Sequence, residues 1–330
     1  MSKLVECVPN FSEGRRPEVI DAIAARVSHT PEVHLLDRTS DVDHNRSVLT
    51  FAGPAEAVTA AMEAALAEAI ERIDMNEHAG QHPRLGAVDV IPFVPLAATT
   101  MDDVIEIART FGARLARRYE LPVYLYARAA LRSEREKLAD VRRGQYEGLK
   151  EEISQRGREP DFGPSQLHPS AGAVAVGARP FLIAYNINLE SDDVELAKRI
   201  ARRVRESGGG LPKVQANGFE VEEPERGRPR FAQVSMNLLD FAVTPLWLVW
   251  DSVRELAAED GVALAESELI GLAPIASFLA VADHAGATSG EDPVERRLAA
   301  AAAYLKLRDF SPSQALELRL EEVTGQRTSS

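Results

Sequence analysis

HLLDRTSDVDHNRSVLTFA, residues 34–52, holds two apolar runs, His34–Asp37 and Ser47–Ala52, joined by a polar loop rich in Asp. Nothing between them has the length or period of a helix, so they read as neighbouring strands. A helix lies on either side. Pro17 opens one with Val19, Ile20, Ile23 and Val27 on a single face; an alanine-rich one spans Pro54–Ile73 with the stripe Val58, Met62, Leu66, Ile70 and Ile73. The apolar runs Leu4–Val8 and Val88–Val94 complete the set as outer strands. The order is therefore β-α-β-β-α-β, the split βαβ or ferredoxin-like order. One doubly wound parallel sheet fits worse, because it needs a crossover helix between strands and residues 34–52 contain none.

The second half restarts the rhythm. Phe181–Ile187 reads as a strand, and Asp192 or Asp193 caps a helix with Val194, Ala197, Ile200 and Val204 inward, stopped by Ser207–Gly210. Val214–Val221 and Phe231–Leu239 suit a strand pair. Pro245 opens a helix carrying Leu246, Val249, Val253 and Leu256, and Leu264–Glu268 closes the set. Between the halves lie a helix capped by Asp102 or Asp103 and a strand at Val123–Tyr126. Helices around Pro274–Ala285 and Pro312–Val323 follow, and the terminal GQRTSS is expected to fray. The expected fold class is α/β (α+β): two ferredoxin-like-order subdomains, residues 1–178 and 179–330, each a mainly antiparallel sheet with helices on one face.

Composition narrows the function classes. The 330 residues carry 38 Lys+Arg against 51 Asp+Glu, a formal charge of −13, which argues against nucleic acid or an anionic membrane as partner. A single cysteine, Cys7, forms no intramolecular disulfide and points to a reducing cytosol, and MSKLVECVPN lacks the apolar core of a signal peptide. Phe162–Ala178 is the longest uncharged run. Seven of its 17 residues are Gly, Pro or Ser, so it reads as a loop rather than a membrane span.

The most unusual segment is NEHAGQHPRLGAVDVIPFVPL, residues 76–96. His78 and His82 stand four apart, but Gly80 between them and Pro83 after them disfavour a helix, and no third ligand accompanies them. No metal is expected. His78 reads as an exposed loop residue. Pro83 gives His82 a defined direction at the entrance to an apolar strand, where an imidazole suits proton transfer both ways.

The chain resembles the glutamate formiminotransferases, the folate-dependent transferases of histidine degradation. The resemblance is carried by VECVPNFSEG (5–14), DHNRSVLTFAG (43–53), HPRLGAVDVIPFVPL (82–96), LPVYLYARAA (121–130), PDFGPSQLHPSAGAVAVGARPFLIAYNINL (160–189) and QVSMNLLDF (233–241). It implies two α/β subdomains with folate between them, formiminoglutamate and tetrahydrofolate as small-molecule substrates, and His82 as the active-site histidine. It also implies a folate-binding loop at Gly163, Pro164, Ser165, Gln166, Leu167, His168, Pro169, Ser170, Ala171 and Gly172, inside the uncharged run. Glycines there let backbone groups approach a flat pterin, and the serines add hydrogen-bonding groups.

In the implied reaction N5 of tetrahydrofolate loses a proton and the glutamate nitrogen gains one, and one imidazole near both can do both tasks. The carboxylates of the substrates call for arginines, with Arg46 and Arg84 as candidates. Asn10, Asn45 and Asn186 are further candidate substrate contacts.

Two positions depart from the family pattern. Thr39 stands where many members carry an acid, so Asp37, Asp41 or Asp43 is expected to substitute; Ala171 replaces a tryptophan, which reshapes the pterin pocket. The chain stops after the transferase unit, so a cyclodeaminase activity is not implied. The rivals are a related enzyme acting on a 5-formyl group, a non-catalytic folate-binding module and a metal-dependent hydrolase. A homodimer is expected from exposed sheet edges.

Overall fold

The computed structural model describes residues 3–226 and 228–325; residues 326–330 of the segment expected to fray lie outside them. The chain divides into two compact units, Met1–Pro180 and Phe181–Ser330.

The first unit is built from β1 (Lys3–Cys7), β2 (Asn10–Phe11), α1 (Pro17–Ser28), β3 (His34–Asp41), β4 (Arg46–Pro54), α2 (Ala55–Arg72), β5 (Val88–Ala97), α3 (Met101–Tyr119), β6 (Val123–Ala127), α4 (Leu138–Val141), α5 (Gln145–Glu152) and β7 (Val174–Ala178). Pro9 has no N–H to offer a ladder, so the first strand breaks there and resumes as β2. Both pieces lie between β4 and β5, antiparallel to each, and β3 pairs with the other edge of β4. These strands with α1 and α2 make the ferredoxin-like order. The sheet then continues past β5 with β7 and β6, both parallel to it.

Packing rather than capping holds α1. Arg16 at its N-terminus makes no side-chain cap, while Val19, Ile20, Ile23 and Val27 are buried against α2 and the sheet, each contributing roughly 1.5–3 kcal/mol. At α3 the cap is Thr100 rather than Asp102 or Asp103. Its hydroxyl accepts from the Asp103 N–H, and the Asp103 carboxylate accepts from the Thr100 N–H. A threonine followed three residues on by an acid forms a reciprocal capping box, which outcompetes a lone aspartate.

The reading of residues 162–178 as a loop fails at its end, because Val174–Ala178 is the buried strand β7. Alternate residues of β7 and β6 face two cores. Val174, Val176, Val123 and Leu125 pack with α1–α3, whereas Ala175, Tyr124 and Tyr126 pack under Val141, Leu149 and Ile153. At this parallel end helices therefore cover both faces. Parallel strands buried on both sides read as continuous small and apolar runs, so the period-2 signal is absent from AVAVGA.

Gly86 joins this end to the rest of the unit. A Cβ there would lie 2.2 Å from the Ala173 carbonyl oxygen and 2.3 Å from that of Ala171, both backbone atoms that have no side-chain torsion to yield. Gly86→Ala is expected to lower stability by about 2–3 kcal/mol, measured as a downward shift of the thermal unfolding midpoint; an unchanged midpoint would contradict this packing.

The second unit contains β8 (Ile183–Leu189), α6 (Val194–Val204), β9 (Val214–Glu223), β10 (Arg228–Leu238), α7 (Leu246–Glu259), β11 (Leu264–Ile270), α8 (Ile275–Ala285), α9 (Val294–Tyr304) and α10 (Leu316–Thr324). Its sheet order is β11-β8-β10-β9, antiparallel throughout, and Asp193 caps α6. Ile183, Tyr185, Ile187 and Leu189 face the helices, whereas Asn186 and Asn188 face the other side, where Glu266, Glu268 and Gln233 meet them. Arg226 pairs with Asp309 and Arg230 with Glu220; the Arg228 side chain lies outside the described residues. Among the described residues no helix is long and apolar enough to cross a membrane.

Candidate active site

The chain between α2 and β5 carries His78 and His82 without regular structure for most of its length. It lies flat on the β3–β4 turn because Gly80 permits it: a Cβ there would meet the His44 carbonyl oxygen at 2.4 Å. His78 is not an exposed loop histidine. It is half-buried, its Nε2 is 3.1 Å from the Asn45 carbonyl, and its Nδ1 accepts from Arg84 Nε at 3.2 Å. Burial lowers its pKa, so the ring is neutral with the proton on Nε2. Its spacing from His82 concealed this, since both of its partners lie elsewhere in the chain.

His82 lines a recess with Asn10, His44, Arg46 and Asp89. Among the described residues none hydrogen-bonds its ring, and the His44 ring stands edge-on with centroids 6.3 Å apart. Burial pulls its pKa down to about 3, and the charges of Arg46, Arg142 and His44 act in the same direction, opposed by Asp41. The ring is therefore uncharged at neutral pH in the ligand-free protein.

The folded pKa lies below the unfolded value of about 6.5, so the unfolded chain binds more protons between pH 6.5 and 3. The stability contributed by neutral His82 is complete above pH 6.5 and declines as pH falls toward 3. In a histidine NMR titration of the ligand-free protein, the His82 resonance is expected to stay in its neutral position down to pH 5. A midpoint near 6.5 would refute the proposed electrostatics.

Arg46 supplies much of that field. Its Nε donates to Asn10 Oδ1 at 2.5 Å. Burial pushes its own pKa down to about 10, with Arg142 pushing the same way and Asp89 and Asp41 opposing. No carboxylate among the described residues forms an ion pair with it. Arg142 is neutralised by Asp89, a buried acid that also accepts from the Leu85 N–H at 3.0 Å. Arg84 is different again: all five of its N–H groups are engaged, by both Glu147 oxygens (2.6 and 2.8 Å), Gln145, His78 Nδ1 and the His78 carbonyl. It holds the histidine segment to α5.

The other expected residues divide similarly. Asn10 orients Arg46. Asn45 sits at φ 48° and ties three segments together, accepting from the Gly14 N–H and donating to the Ala79 carbonyl. Asp37 lies on β3 opposite Thr50 and does not line the recess. Asn186 belongs to the second unit, where its amide reaches Glu268 at 3.4 Å. Of the carboxylates near Thr39, Asp41 is the one that contacts a residue of the recess, His44. It accepts from the His44 N–H and contacts His44 Nδ1, both at 2.8 Å.

Sequence reasoning missed His44, Asp89 and Arg142. Asp89 had a signal, a lone charge within an apolar strand; Arg142 sits in a charged run that conceals it.

The loop Gly163–Gly172 packs on the same segment. Met75 N–H donates to the Ser170 carbonyl at 2.7 Å, Asn76 reaches the Pro169 carbonyl, and Ala87 N–H donates to the Ala171 carbonyl. His168 closes the loop on itself. Its backbone exchanges hydrogen bonds with Gly172, and its Nδ1 accepts from the Ser170 and Ala171 N–H groups. Gly163, Pro164, Ser165 and Gln166 are exposed, Leu167 is half-buried, and Ala171 is buried. A second cavity of about 320 Å³ shares Ser12, Asn45 and His78 with the recess and is also lined by Arg15, Arg16 and Arg72.

An uncharged histidine thus stands beside an arginine that has no carboxylate ion pair among the described residues. Residues 4–179 match the family profile of the formiminotransferase domain, N-terminal subdomain, and residues 184–309 that of the formiminotransferase domain. The chain belongs to the formiminotransferase family.

A glutamate formimidoyltransferase from Thermoplasma acidophilum is 42% identical over 324 residues, covering 98% of this chain and 99% of the relative. One from Streptococcus pyogenes serotype M1 is 42% identical over 284 residues, 86% of this chain and 93% of the relative. The formimidoyltransferase-cyclodeaminase of Rattus norvegicus is 47% identical over 285 residues, and the chain spans about half of its length (52%).

Proposed function

We propose that the chain transfers the formimino group of N-formimino-L-glutamate to N5 of tetrahydrofolate, giving 5-formiminotetrahydrofolate and L-glutamate. In this reading His82 takes the N5 proton, Arg46 holds a substrate carboxylate, and the loop Gly163–Gly172 receives the pterin. Folate is a co-substrate, and the chemistry needs no metal.

The observation that carries the proposal is Arg46, without a carboxylate ion pair among the described residues, beside His82, whose ring none of them hydrogen-bonds and whose pKa is depressed. A half-buried guanidinium without an ion-pair partner gains from pairing with a carboxylate. When formiminoglutamate provides one, the field on His82 weakens and its pKa rises toward the range useful for accepting a proton at neutral pH. Substrate binding thus readies the base. The rigid backing of the loop by residues 75–87 supports its role as a pterin seat, because a platform that is already ordered loses little entropy on binding.

The lone cysteine is buried in β1 and burial raises its pKa well above the usual thiol range, which leaves no thiolate for catalysis. The test is direct: folded protein is mixed with formiminoglutamate and tetrahydrofolate and glutamate release is followed. Absence of turnover with these two substrates removes the proposal, and turnover with a 5-formyl donor alone replaces it with that rival.

A further inference from the structure

The transfer has two proton tasks at two different nitrogens: N5 gives a proton up, and the departing glutamate nitrogen must receive one. Three imidazoles line the recess, and His78 is already engaged by the Asn45 carbonyl and Arg84. His44 lines it with His82, the two ring centroids are 6.3 Å apart, and the planes meet at 71°. His44 Nδ1 lies 2.8 Å from Asp41 Oδ2, and its N–H donates to Asp41 Oδ1. Backbone and ring are thus fixed by one carboxylate. Nδ1 carries the shared proton, and Nε2 is left to exchange one with the recess.

We propose that His44, oriented by Asp41, is a second catalytic residue of the proposed formimino transfer, the acid that protonates the leaving glutamate nitrogen while His82 acts as base. This rests on the reading of the reaction given above. N5 attacks the formimino carbon, the N5–C bond forms as the C=N π pair moves onto the imino nitrogen, and the N5 proton passes to His82. The carbon–nitrogen bond to glutamate then breaks with its electron pair going to nitrogen, which takes a proton from the His44 imidazolium. The formimino C=N bond is restored on N5. His82 has gained one proton and His44 has lost one, so a transfer from His82 to His44 across the recess returns both to their starting states. No other reactant is required.

The charged groups around the pair come from every neighbouring segment: Asp41 at the end of β3, Arg46 at the start of β4, Asp89 in β5, Arg142 after α4, and Arg15, whose Nε donates to the Val42 carbonyl. Asp41 is the carboxylate that contacts the imidazole itself. Burial alone would raise its pKa, but the amide and ring of His44 hold it below the usual carboxylate range, so it is an anion wherever the enzyme works.

The experiment is the pH dependence of kcat for the full chain and for His44→Gln. In the wild type kcat is expected to fall at high pH as the acid loses its proton. His44→Gln is expected to lower kcat about 100-fold and to lack that alkaline limb, with KM for both substrates changed less than about threefold. Free imidazole is expected to restore His44→Ala by at least about tenfold, a recovery that a purely structural role would not allow. Wild-type protein that transfers nothing overturns this assignment together with the function. An active wild type whose His44→Gln keeps full kcat, or loses kcat with an unchanged pH profile and no rescue, overturns this assignment alone.

Discussion

His82→Ala is expected to lower kcat for formimino transfer by at least about 1,000-fold, within the range attributable to a lost acid–base group, while the affinity for tetrahydrofolate stays within about threefold. The two readouts separate because the ring makes no hydrogen bond to the rest of the described protein. Its removal breaks no link in the segment, which is held by His78, Asn76, Ala87 and Arg84. Thermal stability at pH 7 should change little, since a half-buried ring leaves a small void open to the recess. Glutamate release and isothermal titration with the reduced folate measure both quantities. Retention of more than about a tenth of wild-type kcat would remove His82 from the chemistry.

Arg46→Met is expected to raise KM for formiminoglutamate by roughly 100-fold, the loss of one charge-assisted carboxylate contact of about 2–3 kcal/mol. Methionine keeps much of the volume and removes the charge, so the test isolates electrostatics. The same change should raise the His82 pKa, because Arg46 is the first charge after burial that depresses it. The two effects share one cause but are measured separately, by steady-state kinetics and by histidine NMR. A variant with normal KM and an unshifted His82 titration would show that Arg46 faces neither the substrate nor the base. Arg84, equally prominent in the sequence, should not behave this way, since its charge is already matched by Glu147.

Much of the fold was legible before any coordinates. Strand pairs without intervening helices, helices opened by Pro17 and Pro245, and the Asp193 cap are signals carried within a few residues of chain. The elements that were missed lack such signals. β7 alternates between two buried faces and so shows no polar side, and α4 and α5 are short and weakly amphipathic. The Thr100 cap was hidden by two competing aspartates immediately after it.

In the site, His82 stood out through its Pro83 neighbour and the family resemblance, but its environment was not readable. Arg46 and Arg84 look alike in sequence. One ends beside the recess without a carboxylate, and the other is saturated by a glutamate 63 positions away. Asn45 reads as a polar contact for substrate, yet both ends of its amide are engaged by the backbone.

By itself, then, the amino-acid sequence determined the two βαββαβ units and the acidic composition, and it singled out His82, because periodicity, caps and motifs act over short separations. Only the tertiary structure decided which charges around that histidine are neutralised and which are left for a ligand. Those charges come from positions 41, 44, 46, 89 and 142, and an ionic interaction depends on distance and burial in space, neither of which is written in the spacing along the chain.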